Sequence, residues 1–563
     1  MKRAWLIVTM ILAVLASCSS GQNEISGVVL DEKGVPLAGA VVRVKATDKF
    51  TSTNNDGKFR LTALRAGESY LLTAWAPGYY IGGGEIEYAP GESNAEFVLT
   101  KHTDSDNPYY QWVSAFIQPG VKGSNCEECH SALTPSLSGE GLVVKESLPF
   151  DEWMRDAHSQ SAVNPRFLTM YTGADVNGNQ SPITGYTNNR DYGRVPLRPD
   201  LTQPYFGPGY KLDFPETAGN CAACHAPAAA INDPYGVDPT SVTSVGVEGV
   251  ACDFCHKVWD VRLDSTGLPH PKMPGVLSFE FRRPPEGHQF FAGPFDDIAP
   301  GEDTYTPIQR QSQYCAPCHF GVFWNTQIYN SFGEWLQSPY SDLETGKSCQ
   351  DCHMPTGKTD HFARLSKGGV IRNPQTIFSH LMSGASAPDL LRSSVSMDVS
   401  AVQTGDELTV TVTILNDQTG HHVPTDSPLR HLILLVHVED SNGVTLPQVG
   451  GLTVPEYGGI GDPDKGYYAG LPGKIFAKIL MELWTEITPT GAYWNPTRTV
   501  SDNRLAAFES DTSEYTFAAP ADGKASVKVT LLFRRAFREL MDQKGWIMAD
   551  IIMEEEYLFL NGQ

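Results

Sequence analysis

The sequence predicts a multidomain protein with an N-terminal β-sandwich, a central region of short helices and irregular chain, and a C-terminal β-sandwich with short helices. The chain has 563 residues, more than one hydrophobic core usually serves. Alternating apolar runs separated by turns occupy residues 24–100 and 391–563. Residues 125–390, between them, have few clean amphipathic periods and contain ten of the eleven cysteines.

The first 18 residues predict export. Two basic residues precede an apolar stretch at 4–15, which is too short to span a bilayer comfortably. Residues 15–18, LASC, resemble the lipobox of bacterial lipoproteins, which implies that residues 1–17 are a signal peptide and that Cys18 is lipidated. A plain secretory leader with an incidental cysteine is the alternative. We expect a membrane-anchored lipoprotein at the outer membrane or the cell surface, facing the periplasm or the exterior.

Residues 24–100 contain four strand-like runs, ISGVVL, AVVRVKAT, GKFRLTAL and SYLLTAWA, with turns between them. The pattern resembles the carboxypeptidase regulatory-like domain, a small immunoglobulin- or transthyretin-like sandwich. The resemblance implies no catalytic residue, and a spacer or docking module is the expected role. Residues 101–124 follow as a predicted linker, marked by the polar run before Pro108.

The cysteines after Cys18 all occur in one pattern, C-x-x-C-H, with none left over. This pattern is the attachment signature of c-type haem. Two thiols three residues apart lie on one side of a helical turn and can bind the haem vinyl groups, and the following imidazole becomes the proximal iron ligand. The motifs are Cys126-x-x-Cys129-His130, Cys221-x-x-Cys224-His225, Cys252-x-x-Cys255-His256, Cys315-x-x-Cys318-His319 and Cys349-x-x-Cys352-His353.

Disulfides, a redox dithiol or zinc sites would also explain paired cysteines in an exported chain. None of them explains a histidine directly after every pair. The sequence therefore predicts five haems and a pentahaem cytochrome c domain over residues 125–390. Successive motifs start 95, 31, 63 and 34 residues apart, and the two short gaps predict that haems two and three, and haems four and five, are neighbours.

Several segments resemble those of multihaem cytochromes related to the tetrahaem hydroxylamine-pathway cytochromes and the octahaem tetrathionate reductases. The segments are residues 152–158 (EWMRDAH) with 164–167, 249–256, 293–297, and 334–340 before 349–355. The resemblance implies distal histidine ligands from a W-x-x-x-x-H segment, from elements after the fifth motif and from a G-H-x-x-P-T-like loop. The distal candidates are His158, His361, His380 and His421, with His422 as the alternative to His421.

Four distal candidates for five irons leave one iron unassigned. It takes a ligand from another part of the chain or it stays open on one side. His431 and His437 alternate within a predicted strand and are interpreted as structural. The remaining possible ligands are His102, His270, His288, Met273 and Met354.

Residues 391–563 predict a second sandwich. The strand-like runs are SVSMDVSAV, LTVTVTILN, HLILLVHVED and SVKVTLLF. Two segments, KIFAKILMELW and RRAFRELMDQKGW, are predicted as short helices.

The net charge of −23 excludes nucleic acid as a partner and favours basic partner proteins. The expected redox partners are basic cytochromes or membrane quinol-oxidising complexes. Electron transfer by haem-to-haem hopping is the predicted function. The alternative is a reductase or oxidase of a small nitrogen or sulfur oxyanion at one open haem. No C-x-x-C-K motif is present, which favours electron transfer.

Arg190, Arg194 and Arg198 are candidates to line a substrate site at an open haem. The other interpretation is that they belong to a solvated loop. A surface adhesion protein with incidental haems is the least favoured functional class.

Overall fold

The computed structural model describes residues 23–117, 125–132, 147–298 and 301–561. The predicted signal peptide and Cys18 lie outside the described residues, so export and lipidation stay predictions. Within these ranges, no helix has the length and apolar character needed to cross a membrane. The longest described helix of the central region, Pro165–Thr172, has 8 residues.

The N-terminal part is a sandwich of two sheets, as predicted. The strands are β1 Ile25–Asp31, β2 Val41–Val44, β3 Phe50–Ser52, β4 Lys58–Leu61, β5 Tyr70–Trp75, β6 Gly82–Tyr88 and β7 Ala95–Leu99. One sheet has the order β4-β1-β7 and the other β3-β2-β5-β6. Alternate residues of facing strands fill the core, and Val29, Val42 and Leu72 are fully buried there.

This sandwich is docked on the central region. Arg43 forms a bidentate ion pair with Asp296, with its Nε 2.7 Å from the carboxylate. The Trp75 indole donates to Thr304 at 3.1 Å, and the Tyr80 hydroxyl donates to the Gln289 carbonyl at 2.9 Å. Such buried polar contacts fix the orientation of the sandwich relative to the cysteine motifs.

The central region consists of single helical turns and two-stranded ladders. Each cysteine motif forms its own turn, closed by hydrogen bonds such as that from the His225 amide to the Cys221 carbonyl at 3.1 Å. Its α-helices are α1 Cys126–His130, α2 Pro149–Trp153, α3 Pro165–Thr172, α4 Tyr210–Asp213, α5 Ala222–His225, α6 Pro227–Ala230, α7 Cys252–Cys255, α8 Ser331–Leu336, α9 Cys349–His353 and α10 Pro388–Arg392. Its strands are β8 Tyr186–Asn189, β9 Gly193–Pro196, β10 Val258–Val261, β11 Phe279–Phe281, β12 Phe291–Gly293, β13 Asp303–Tyr305, β14 Gly321–Phe323 and β15 Thr326–Tyr329. The fourth motif begins at the end of a 3-10 helix, Ser312–Cys315.

The C-terminal part is the larger sandwich. Its elements are β16 Ser396–Thr404, β17 Glu407–Leu415, β18 His431–Asp440, β19 Gln448–Gly451, β20 Gly473–Glu482, β21 Thr497–Asp502, β22 Ser510–Ala518, β23 Lys524–Arg534, α11 Arg538–Lys544 and β24 Ile551–Asn561. The strands form two sheets with the orders β16-β17-β22-β19 and β21-β20-β18-β23-β24. The fold class is thus the predicted one, while the exact domain limits stay predictions.

One predicted helix is wrong. Most of KIFAKILMELW forms β20, an interior strand of the five-stranded sheet, rather than a helix, whereas the segment after β23 does contain the predicted helix α11. Phe476 of β20 faces the sandwich core, and Ile475 and Ile479 face a second apolar cluster on the other side of the sheet. A strand buried on both faces loses its polar alternation, so its sequence no longer distinguishes it from a buried helix.

Candidate cofactor site

One large cavity joins all five cysteine motifs. Its volume is about 2060 Å³, whereas a pocket for one small ligand has roughly 300–1,000 Å³. The second motif contributes Cys224 and His225, and both cysteines and the histidine of each other motif lie on the cavity wall. The chain therefore encloses a shared space of the size that several large cofactors need.

The ten motif cysteines are free, and no disulfide joins them. Burial is the main cause that raises the pKa of Cys221 to about 12 and that of Cys255 to about 11, whereas the neighbouring Cys315 lowers the pKa of Cys349 to about 7. Among the described residues, no three His, Cys, Asp or Glu side chains converge as a metal-ion site.

Thiols of different motifs approach one another in the cavity. Cys126 and Cys252, Cys224 and Cys318, and Cys315 and Cys349 lie close enough to shift one another's pKa. Motifs four and five are therefore neighbours in the structure. The second motif approaches the fourth through its thiol, and its Ala223 packs in one apolar cluster with Phe254 of the third motif. The pairing of the haems themselves stays a prediction.

The five motif histidines share one orientation. In each ring Nδ1 lies within hydrogen-bonding distance of an oxygen, which leaves Nε2 as the nitrogen for an iron. For four of them the acceptor is a backbone carbonyl. These pairs are His130 with Phe362 at 2.7 Å, His225 with Ser161 at 3.2 Å, His256 with Ala292 at 2.8 Å and His353 with Ser383 at 2.6 Å.

His319 differs from the other four, because its Nδ1 lies 2.9 Å from the Asp426 carboxylate. Burial by itself would raise the pKa of Asp426, but the His319 ring and Arg430 lower it below its usual range. The carboxylate is therefore ionised. A carboxylate behind a ligating imidazole makes that ligand more basic.

Two predicted distal histidines lie opposite motif histidines. The ring centres of His158 and His319 are 6.3 Å apart, and those of His421 and His353 are 6.2 Å apart. Two metal–nitrogen bonds of about 2 Å, with half an imidazole ring at each end, require about 6 Å between ring centres. The ring spacing of each pair would therefore suit two imidazoles that hold one iron between them. Nδ1 of His158 contacts Asp156 at 2.6 Å and that of His421 contacts the His422 carbonyl at 2.9 Å, so Nε2 remains available.

His380 lies in the same cavity near the first and third motifs. Burial, followed by repulsion from His256 and His130, lowers the pKa of His380 to about 4. Its backbone N–H donates to Glu152 at 2.7 Å, and its Nδ1 is buried without a hydrogen-bond partner. A neutral imidazole in this position suits an axial ligand.

The fourth predicted distal ligand, His361, is not part of the cavity wall, and its ring contacts Asp360 at 2.7 Å. His422 does line the cavity, but its ring lies 3.2 Å from Glu334. That contact favours His421 over His422 as the ligand.

The other possible ligands are outside the cavity wall, apart from Met354. His102 is buried among Tyr80, Trp259 and Phe290. His431 stacks on Phe537 within the C-terminal sandwich, as its strand position predicted. The side chains of His270, His288, His437 and Met273 also lie elsewhere.

The arginines proposed from sequence are in the wrong place for an active site. Arg190 and Arg194 belong to the exposed β8–β9 hairpin, where Arg190 pairs with Asp191, and Arg198 donates to the Thr485 carbonyl. The arginines that line the cavity are instead Arg155, Arg166, Arg372, Arg430 and Arg535. No sequence pattern connects them, because most of them come from distant segments.

Comparison with known proteins supports the sandwich at the amino end. Residues 24–100 match the model of the carboxypeptidase regulatory-like domain. The search of curated proteins found no match.

Among solved structures, the chain is similar to a penta-heme cytochrome c552 from Thermochromatium tepidum, with 18% identity and a TM-score of 0.49 over 73% of this chain and 96% of that one. A second match, the Fcho1 Mu homology domain of Danio rerio with bound Eps15 peptide, has 8% identity and a TM-score of 0.12 over 31% of this chain and 44% of that one. Both TM-scores are low, so the haem proposal depends on the residues of this chain.

Proposed function

We propose that this chain is a c-type cytochrome that carries five covalently bound haems and transfers electrons. The observation that carries the proposal is the single cavity into which all five C-x-x-C-H motifs open. Haem iron takes up and releases single electrons, and haems held close together pass them on. Thiols of motifs one and three, two and four, and four and five lie close enough to shift one another's pKa, which supports short distances between cofactors.

The residues of the chain have three tasks in this proposal. The motif cysteines bind the haem edges, and the motif histidines supply the proximal Nε2. His158, His380 and His421 supply distal imidazoles, for which the 6.2 and 6.3 Å ring separations give support in two cases. The two sandwiches cover the cavity and limit the access of water.

We further propose that the protein is exported and anchored through lipidated Cys18 at the outer membrane or cell surface. Its acidic balance of 65 Asp and Glu against 42 Lys and Arg supports basic redox partners, with quinol-oxidising membrane complexes as donors. The N-terminal sandwich serves as a spacer or docking module on this view.

The test is the intact mass of the exported protein together with its redox titration. Five haem masses above the mass of the processed chain are expected, with several overlapping one-electron waves on an electrode. The variant Cys252→Ser/Cys255→Ser is expected to carry four. Material with no haem, or with zinc in place of haem, would refute the proposal.

A further inference from the structure

The N-terminal sandwich contributes two side chains to the wall of the cofactor cavity. They are Ile81, which is 4% exposed, and Lys45, which is half-buried. Lys45 directly follows strand β2 and Ile81 directly precedes strand β6, so both are held by the framework of the sandwich. A module that only separates or docks needs no residue inside the cavity. The sandwich is therefore part of the cavity wall.

A short segment of the sandwich runs along strand β13 of the central region. The Ile81 amide donates to the Asp303 carbonyl at 2.9 Å. The Thr304 hydroxyl donates to the Tyr79 carbonyl at 2.9 Å, and the Trp75 indole donates to that hydroxyl at 3.1 Å. Backbone hydrogen bonds of this kind fix the register of one segment against another. They place Ile81 at the cavity.

Strand β13 leads directly to the third cysteine motif. It pairs with β12, where Ala292 lies opposite Thr304. The Ala292 carbonyl lies 2.8 Å from Nδ1 of His256, and the Ala292 amide donates to the His256 carbonyl at 2.8 Å. Residues of both strands line the cavity. Only two strands therefore separate the sandwich from the histidine of the third motif.

A set of charged contacts holds Lys45 at the same wall. Arg43, two residues earlier, binds both oxygens of Asp296, at 2.7 and 3.0 Å. The Ala46 amide, one residue later, donates to Asp297 at 2.6 Å, and the other oxygen of Asp297 accepts from Arg372 at 3.2 Å. Bidentate ion pairs that are mostly shielded from water are stronger than exposed ones. The backbone on both sides of Lys45 is thus fixed to the central region.

The Lys45 ammonium has no counter-charge within the described part of the chain. No described carboxylate lies within 4.0 Å of it, and its Nζ lies 3.5 Å from the Gly84 carbonyl, which is long for a hydrogen bond. A half-buried cation without a partner is unfavourable unless an anionic group joins it. The propionates of a haem are carboxylates. An unpaired ammonium on the cavity wall therefore fits the group that the cysteine motifs predict.

We propose that the N-terminal sandwich is part of the cofactor site of the third motif, where Lys45 raises the reduction potential of the haem and Ile81 excludes water from it. This inference rests on the proposed function, because it requires a haem at Cys252 and Cys255. The reduced iron carries one positive charge less than the oxidised iron, so a nearby cation favours reduction. Excluding water lowers the local dielectric constant and strengthens this effect. The role goes beyond that of a spacer or docking module.

The experiment is a spectroelectrochemical titration of the five-haem protein and its Lys45 variants. Lys45→Met keeps the length of the side chain and removes its charge, so one of the five potentials is expected to fall. Lys45→Arg keeps the charge and is expected to leave that potential close to the wild-type value. Lys58→Met, at an exposed lysine in strand β4 of the same sandwich, is the matched control without effect. In the four-haem variant Cys252→Ser/Cys255→Ser, Lys45→Met is expected to shift no potential.

A second variant tests the docking of the sandwich. Arg43→Gln removes the ion pair to Asp296, and the amides of β12 and β13 are expected to exchange hydrogen about tenfold faster or more. The same haem potential is expected to fall, because Lys45 and Ile81 leave the wall together. Unchanged exchange within strands β1 and β2 checks that the sandwich itself stays folded.

The outcomes separate the possible failures. A protein without haem refutes the proposed function itself. Five haems whose potentials are the same in Lys45→Met and in the wild type refute only this inference. An equal fall in Lys45→Arg would show an effect of packing and overturn the role of the charge. A shift that persists in the four-haem variant would place Lys45 at another haem and overturn the assignment to the third motif.

Discussion

The C-terminal sandwich and the central region are built from different kinds of core. In the sandwich, strands of nine to eleven residues such as β17 and β23 pack apolar side chains against each other, and Val410, Leu434 and Val529 are fully buried. In the central region, helices of eight residues or fewer surround a cavity of about 2060 Å³. The sandwich therefore stabilises itself, whereas under the proposed function the haems would complete the core of the central region.

Preventing haem attachment should have the largest effect, because it should destabilise the central region and leave the sandwiches folded. In protein expressed without the attachment machinery, we expect residues 147–390 to lose protection while the two sandwiches keep theirs, because only the central region would have an unfilled cavity. Limited proteolysis followed by mass spectrometry measures this. Equal protection of both regions would show that the central polypeptide folds without its cofactors.

Creating a cavity in the core of the C-terminal sandwich should destabilise that sandwich rather than the central region. Phe476→Ala is expected to lower the free energy of unfolding of the C-terminal sandwich by about 3–5 kcal/mol, since a fully buried aromatic ring is removed. Chemical denaturation followed by tryptophan fluorescence measures the loss. Val402→Ala, at a side chain that is 62% exposed, is the control and should change stability by less than about 0.5 kcal/mol. A similar loss in both variants would contradict the assignment of the core.

Within the central region, the carboxylate beside His319 should affect the reduction potential of one haem and leave the others unchanged. Asp426→Asn removes the carboxylate from His319, making that ligand less basic, so one haem potential should rise by on the order of tens of mV. Spectroelectrochemical titration resolves the shift. Asp191→Asn, on the exposed hairpin, serves as the matched control. If all five potentials moved equally, or none moved, the carboxylate would not act through His319.

The smallest expected effect concerns a buried carboxyl group in the sandwich. Burial is the main cause that raises the pKa of Glu482, although Thr485 and Thr490 donate to it at 2.6 Å. The folded state then holds this proton more tightly than the unfolded state, so stability should fall as the pH rises from about 4.5, the ordinary value, through the raised pKa. Glu482→Gln should remove this part of the pH dependence of unfolding. An unchanged pH profile would contradict the raised pKa.

The sequence was most informative where a pattern is local. The strands β1, β16, β17 and β18 and helix α11 follow from periodicities within about ten residues, and the motif histidines follow from adjacency to cysteine. β20 was missed because both of its faces are buried, which removes the alternation that distinguishes a strand. His158 and His421 came from a resemblance in short segments, and the structure places both opposite motif histidines.

By itself, the sequence determined the fold class, the ten thiols and the five imidazoles that follow them, because each of these is written in consecutive residues. The tertiary structure decided that Cys224 approaches Cys318, that His225 has Phe167 rather than a histidine as its ring neighbour, and that Arg166 and Arg535 share one cavity. These contacts join residues that lie far apart along the chain. They depend on how the segments of the central region and the C-terminal sandwich pack around the cavity, which no local periodicity encodes.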